Sequence, residues 1–234
     1  MHSDLQLAEL YQDILDFKPR QKDLRTVQVI SAVIDLIAEE GIDEVTFESV
    51  GKRVGMARSH VVYYFKDRNE MIRQAVRFVG HSAQRIISED LVGIADWEPL
   101  LKAYVNANFN WLEQYPRHAA VMLLLYYLAS YSKKERDFHS QLRETGRRRL
   151  EAILALSPPL KKLSLARRRA MARALQGVVT GALLDAFTTR ELDLSTAKKE
   201  TVQVVLEIVA GFVGRGSRRT CTDGVPSIAS GASL

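Results

Sequence analysis

The chain has 234 residues, of which 47% are apolar and 26% charged, a composition typical of a globular protein that buries its own core. Its one cysteine excludes an internal disulfide and a thiolate zinc site, and no apolar run reaches the roughly 18 residues that would span a membrane. The net charge of +5 is mildly suggestive of an anionic partner, and the acidic N-terminus is unlike a secretory signal, so we expect a cytoplasmic protein with no membrane partner.

Helical periodicity runs through almost the whole chain, and the sparse glycines and prolines favour long helices over strands. Residues 5–17 predict a short amphipathic helix that ends before Pro19, whereas residues 215–234 lack apolar periodicity and predict a disordered tail. Between these segments we predict helices at residues 23–40, 47–54, 58–64, 69–92, 97–114, 116–131, 133–156, 163–188 and 195–213. The expected fold class is all-α.

The segment from residue 46 to residue 68 contains two short helices joined by a tight turn, which is the helix-turn-helix arrangement. Thr46 is a candidate N-cap, and Gly55 supplies the backbone conformation that other residues resist. Residues 52–73 hold six basic side chains against two acidic ones, the local excess expected where phosphates bind. The basic residues are Lys52, Arg53, Arg58, Lys66, Arg68 and Arg73.

The run from Arg25 to Met71 resembles the N-terminal domain of the tetracycline-repressor (TetR) family. The resemblance is carried by the glycine after the first helix, the Thr-capped second helix, the turn glycine and the aromatic pair with the box that follows it: Gly41, Thr46, Gly55 and Tyr64-Phe65-Lys66-Asp67-Arg68-Asn69-Glu70-Met71.

This resemblance implies a helix-turn-helix DNA-binding domain at residues 21–72, preceded by an extension at 1–20. A larger helical effector-binding and dimerisation domain would follow at residues 73–214, with the tail at 215–234. The implied function is a homodimeric repressor that binds a palindromic operator in double-stranded DNA and is released by a small-molecule effector. No cofactor is implied.

The second short helix is the predicted recognition helix. Arg58 and Ser59, at the end that enters the major groove, are expected to contact base edges, and Tyr63 a thymine methyl group or a sugar. The residues expected to hold phosphates are Thr46, His60, Tyr64, Lys66 and Arg68.

Two departures from the family pattern keep other functions open. Ala57 stands where a capping serine is usual and Val62 where a tyrosine is common, so a helical ligand-binding or enzymatic protein that no longer reads DNA is one alternative. A closer alternative is an activator, or a regulator that needs its ligand to bind DNA. The histidines lack the spacing of metal ligands, and no catalytic motif is recognisable, so we predict neither a metal site nor an enzyme.

Half of the aromatic residues fall between residues 97 and 138. An aromatic-lined cavity suits apolar or cationic ligands. The candidate effector-binding residues are Tyr104, Asn108, Trp111, Tyr126 and Tyr127. Residues 143–173 hold ten basic side chains against two acidic ones. We interpret this stretch as a solvated surface, with an acidic effector as the alternative.

The last two helices are the predicted partner surface. One carries a strip of small residues on which another helix could approach closely, including Ala174, Gly177 and Gly181. The other carries an apolar stripe that includes Val205, Val209 and Phe212. In the family the corresponding helices pair with their copies as a four-helix bundle, whereas the alternative is that these residues only fill the protomer core.

Overall fold

A computed structural model describes residues 21–189 and 193–217, which form α-helices, one 3₁₀ turn at Ile42–Glu44 and no strand. The prediction of an all-α fold is confirmed, while the predicted helix at residues 5–17 and most of the predicted tail lie outside the described residues. The helices are α1 (Gln21–Glu39), α2 (Phe47–Val54), α3 (Arg58–Tyr64), α4 (Arg68–Glu89), α5 (Trp97–Gln114), α6 (Pro116–Tyr131), α7 (Lys133–Leu156), α8 (Pro158–Lys161), α9 (Leu165–Thr188) and α10 (Leu194–Ser217).

Most helix ends follow from local signals. Helices α2, α3, α5, α6 and α7 have the predicted bounds, and side-chain caps or a first-turn proline mark the starts of α2, α6 and α7. The short helix α8 after Ser157 was not predicted. Asp193 caps the start of α10, since its carboxylate accepts the Thr196 N–H at 2.9 Å. This backbone hydrogen bond lowers the pKa of Asp193.

Two hydrophobic clusters make up the core. The first joins α1, α2 and α3 to α4 as far as Ala83, to α6 and to parts of α5 and α7, and the second joins the rest of α5 and α7 to α9 and α10. The 22-residue helix α4 runs from the first cluster to the second. The predicted domain boundary between residues 72 and 73 therefore falls inside α4, where Met71 and Val76 pack in the same cluster on either side of it.

Helix α6 makes a second connection between the N-terminal helices and the rest of the molecule. The Arg117 guanidinium lies 3.0 Å from an Asp35 carboxylate oxygen and 2.6 Å from a Glu39 oxygen on α1. Burial raises the pKa of Asp35 against the lowering effect of Arg117. In the described part of the chain, no helix has the length and apolar character needed to cross a membrane.

Candidate nucleic-acid interface and ligand cavity

The helix-turn-helix is held by its own polar groups. The Thr46 hydroxyl accepts the Ser49 N–H at 3.0 Å, and the Ser49 hydroxyl accepts the Thr46 N–H at 2.9 Å, which completes a capping box at the start of α2. Gly55 ends α2 with φ of 67°, in the left-handed region that favours glycine. These local contacts fix where α3 begins.

Gly51 lets the turn fold back against α2. The Met56 N–H donates to the Gly51 carbonyl at 2.8 Å, so the turn runs directly beside the helix. A Cβ atom at residue 51 would lie 2.7 Å from the Met56 carbonyl oxygen, which is closer than real Cβ atoms come. Glycine is therefore required here by the close approach of the turn, a reason that the sequence did not show.

Helix α3 buries one face and exposes the other. Val61 and Phe65 are buried in the first core cluster and fix the orientation of the helix. Six of the eight predicted DNA-binding residues are exposed: Thr46, Arg58, Ser59, His60, Tyr63 and Lys66. Tyr64 is half-buried against the core, and its ring meets that of Tyr63 edge-on at 5.4 Å. As expected for an alanine at residue 57, α3 has no side-chain N-cap.

The six basic side chains of residues 52–73 divide into two groups. Arg53 pairs with Glu39 at 2.7 Å and with Glu40 at 2.8 Å, and Arg73 lies 3.7 Å from Asp67. Arg68 is also engaged, as described below. Within residues 21–189 and 193–217, the three that make no ion pair are Lys52, Arg58 and Lys66.

Arg68 ties the start of α4 to the turn between α1 and α2. Its Nε donates to the Val45 carbonyl at 2.6 Å, and its Nη2 donates to the Ile42 carbonyl. The predicted phosphate contact is thus left to the two N–H groups of Nη1 and the second N–H of Nη2. The link between α3 and α4 is held by a contact between near neighbours: the Glu70 carboxylate accepts the Lys66 backbone N–H at 2.8 Å.

Comparison with known proteins agrees with this geometry. Residues 29–75 match the family model described as bacterial regulatory proteins of the tetR family. Residues 29–75 thus form a DNA-binding domain of the TetR type. Among curated relatives, the HTH-type transcriptional regulator BetI of Cronobacter sakazakii is 25% identical over 197 residues, which cover 83% of this chain and 95% of the relative. The chain is accordingly a DNA-binding transcriptional regulator and not an enzyme.

Solved structures of transcriptional regulators share most of the fold. A crystal structure described as a transcriptional regulator from Pseudomonas aeruginosa PAO1 aligns with a TM-score of 0.72 at 15% identity, covering 86% of this chain and 95% of that one. A structure from Saccharomonospora viridis in complex with choline aligns with a TM-score of 0.69 at 14% identity, covering 77% and 95%. At this identity the likeness shows the fold alone.

A cavity of about 120 Å³ lies among α4, α5, α6, α7 and α9. Four of the five predicted effector-binding residues line it: Tyr104, Asn108, Trp111 and Tyr126. The prediction for Tyr127 is wrong, because this side chain is 64% exposed on the outside of α6 and meets Tyr131 at 5.4 Å. One residue along a helix turns the side chain by about 100°, which separates Tyr127 from Tyr126.

Several polar residues of the cavity wall were not predicted. They are His139, Arg143, Arg149, Gln176 and Thr180. The buried stripe of α7 at Phe138, Leu142, Gly146 and Leu150 has a spacing of four residues. The residues beside this stripe differ in exposure: Arg143 and Arg149 are half-buried, whereas Gln141 and Thr145 are exposed, so the periodicity alone could not have singled out the two arginines.

The predicted partner surface is only partly exposed. Ala174 and Gly177 are exposed on α9, and a Cβ atom at Gly177 or Gly181 would meet nothing within 4 Å. The prediction for Val205 and Val209 is wrong, since they are only 1% and 2% exposed and fill the second core cluster of their own chain. Phe212 also packs against that cluster. Helix α10 therefore turns this stripe inward, and Val204 lies on its exposed side.

Proposed function

We propose that the chain is a homodimeric, cytoplasmic repressor that binds a palindromic operator and leaves it when a small molecule occupies the cavity. The observation that carries the proposal is the exposed face of α3, where polar and cationic side chains stand on a helix anchored by Val61 and Phe65. Such a face suits the major groove, which admits one α-helix.

Different residues in and around α3 would contact the bases and the phosphates of DNA. Arg58 is exposed at the first residue of the helix and makes no ion pair within the described residues, so its guanidinium could reach a guanine edge with two donors. Ser59 and Tyr63 would read neighbouring bases. Phosphates would be held by Thr46, His60, Tyr64, Lys66 and the remaining donors of Arg68.

The dimer would form through the exposed faces of α9 and α10. Ala174, Gly177 and Gly181 leave room for a helix of the partner to approach closely. On α10 the contact would come from the side that holds Val204 and not from Val205 and Val209. Gly177→Glu, which adds a charge to that strip, should shift the protein toward monomers in sedimentation experiments, whereas a Lys133→Glu control, at an exposed residue of α7, should not.

Ligand release would use the two helices that join cavity and DNA-binding domain. Gly80, Ala83 and Gln84 of α4 line the cavity, while Met71 of the same helix lies in the core cluster that also holds Val61 of α3. Helix α6 lines the cavity with Tyr126 and bridges to α1 near its other end. A ligand that moved either helix would change the distance between the two reading heads of a dimer. The fold neighbour in complex with choline supports the idea that such a protein holds a small ligand.

A binding titration on labelled DNA from the region upstream of its own gene tests the proposal. We expect specific binding that weakens steeply with salt. Arg58→Ala should cost about 1–3 kcal/mol on the operator and relax the preference at one base pair in each half-site. Lys66→Ala, the matched control, should weaken operator and unrelated DNA alike. Binding that is absent or independent of sequence would refute the proposal.

A further inference from the structure

Among the residues that the structure describes, the cavity is lined by basic side chains without acidic ones. Arg143, Arg149 and His139 stand in its wall, and no Asp or Glu side chain does among the described residues. Aromatic rings alone would suit a cation, but two guanidinium groups repel one at close range where the surroundings are apolar. The same charges favour an anion.

Arg149 already donates hydrogen bonds to other residues of the protein. Its Nη1 donates to the Gln84 side-chain oxygen at 2.5 Å, and its Nη2 donates to the Gln84 carbonyl at 2.9 Å and to the Ser88 hydroxyl at 2.6 Å. These contacts join α7 to α4. Arg149 therefore contributes a positive charge to the cavity but has few donors left for a ligand.

Arg143 has donors to spare. Its Nη1 donates to the Thr180 hydroxyl at 2.5 Å, and no carboxylate pairs with it in the part of the chain that the structure describes. A guanidinium group carries five N–H donors in a planar fork that matches a carboxylate. The neighbouring backbone is also fixed, because the Arg143 carbonyl accepts the Gln176 side-chain N–H at 3.0 Å.

Glycine makes room for this arrangement. A Cβ atom at Gly146 would lie 2.5 Å from Gln176 Nε2 and 3.2 Å from the Tyr104 hydroxyl oxygen. Only a residue without a side chain allows both groups to stand beside α7. Residues from several helices therefore pack together to form the polar end of the cavity.

Two nearly buried side chains of the lining have unused hydrogen-bonding atoms. Trp111 is 7% exposed and Gln176 6%, and neither Trp111 Nε1 nor Gln176 Oε1 has a partner among the described residues. His139 Nε2 is a third such atom. Buried polar atoms normally have partners, so these atoms point to a ligand with polar groups of its own. The indole Nε1 can only donate, which again suits an anion.

We propose, on the basis of the function proposed above, that the effector is a small organic carboxylate with a compact apolar body. The carboxylate binds the guanidinium group of Arg143, with the Trp111 N–H as a further donor. The apolar body lies against Tyr126, Leu183 and Phe187, which line the same cavity. A volume of about 120 Å³ suits a body of the size of one aromatic ring.

A set of charge-matched probes tests the ligand class. Benzoate and hexanoate are compared with benzamide and hexanamide, which are neutral, and with benzyltrimethylammonium and choline, which are cationic. Thermal unfolding and calorimetry of the full chain measure binding, because a ligand of the native state raises Tm with its concentration. We expect the carboxylates to bind roughly tenfold or more tightly than the amides and the cations.

Variants locate the site. Arg143→Met should weaken benzoate binding about tenfold or more, and Arg143→Lys should recover part of that loss. Arg148→Met is the matched control, since Arg148 lies exposed on the same helix and pairs with Glu144 at 3.0 Å. It should bind benzoate as the unchanged protein does. Thr180→Val removes the hydroxyl that accepts from Arg143 among the described residues. Its affinity for benzoate provides a second test of the site if Arg143→Met does not fold.

Several results would overturn the proposal: tighter binding of the cations, no binding of either carboxylate, or carboxylate binding that is equal in Arg143→Met and Arg148→Met. Operator binding is measured on the same preparations. If the protein binds its operator while the cavity takes cations, only the ligand class is wrong. If carboxylates bind at Arg143 but no DNA is bound, the ligand class stands and the proposed function is wrong.

Discussion

Replacing Arg68 with methionine separates two roles for this side chain. The sequence predicts that Arg68 holds a DNA phosphate, whereas the structure shows its guanidinium donating to the carbonyls of Val45 and Ile42. Methionine keeps the aliphatic part of the side chain and removes every donor. The variant therefore reports on the tie between α4 and the turn before α2.

The expected loss of stability is modest. A hydrogen bond from a charged donor contributes about 1.5–3 kcal/mol in a buried setting. Arg68 is 38% exposed, and water can reach the carbonyls of the turn, so we expect a total loss of about 1–2 kcal/mol in the free energy of unfolding. For a chain of this length that lowers Tm by about 3–6 °C.

The assays are thermal unfolding and a salt series of operator binding. Lys66→Met is the control, because Lys66 is exposed and makes no ion pair within the described residues. It should leave Tm nearly unchanged and reduce the salt slope by about 0.9 for each subunit. If Arg68→Met instead keeps the original Tm and reduces the slope by the same amount, the structural role assigned to Arg68 is wrong.

Three further predictions concern other parts of the fold. Arg117→Met should lower the free energy of unfolding by less than about 1 kcal/mol, because the arginine is more than half exposed. The variant should nevertheless alter the ratio of operator affinities with and without effector. An unchanged ratio would show that the bridge from Arg117 to α1 takes no part in the coupling. Gly51→Ala should cost about 1–3 kcal/mol in urea unfolding, since its Cβ would meet the Met56 carbonyl, and full stability would show that the turn shifts freely. Burial and the charge of Arg143 hold the pKa of His139 below its ordinary value. As the pH falls, His139 is therefore protonated in the unfolded chain before it is protonated in the folded one. Stability should therefore fall as pH drops below about 6.5, and less so in His139→Gln; an equal fall in both proteins would contradict this.

Local signals explain why so much of the helical layout could be predicted. The bounds of α2 follow from Thr46 and Gly55, and α6 begins at Pro116, since a cap or a missing N–H acts within one turn. The exposed face of α3 follows from the spacing of Val61 and Phe65. These features need no knowledge of the rest of the chain.

The remaining errors come from long-range packing. Val205 and Val209 form a genuine apolar stripe, but periodicity does not tell whether such a stripe meets another helix of the same chain or a partner. Arg143 lies in a run of arginines whose members face different directions, and only the packing of α7 against α9 shows that it faces the cavity. Arg68 was assigned to a phosphate because its carbonyl partners lie 23 and 26 residues earlier in the chain.

The continuity of α4 limits how this protein can be recombined with its relatives. Its first half completes the core beneath the recognition helix, and its second half is a wall of the cavity. A chimera joined between residues 72 and 73 would bring together half-helices from two proteins and divide the core cluster that holds both Met71 and Val76. To exchange DNA specificity, an engineer would have to keep α4 whole and replace only the exposed residues of α2 and α3.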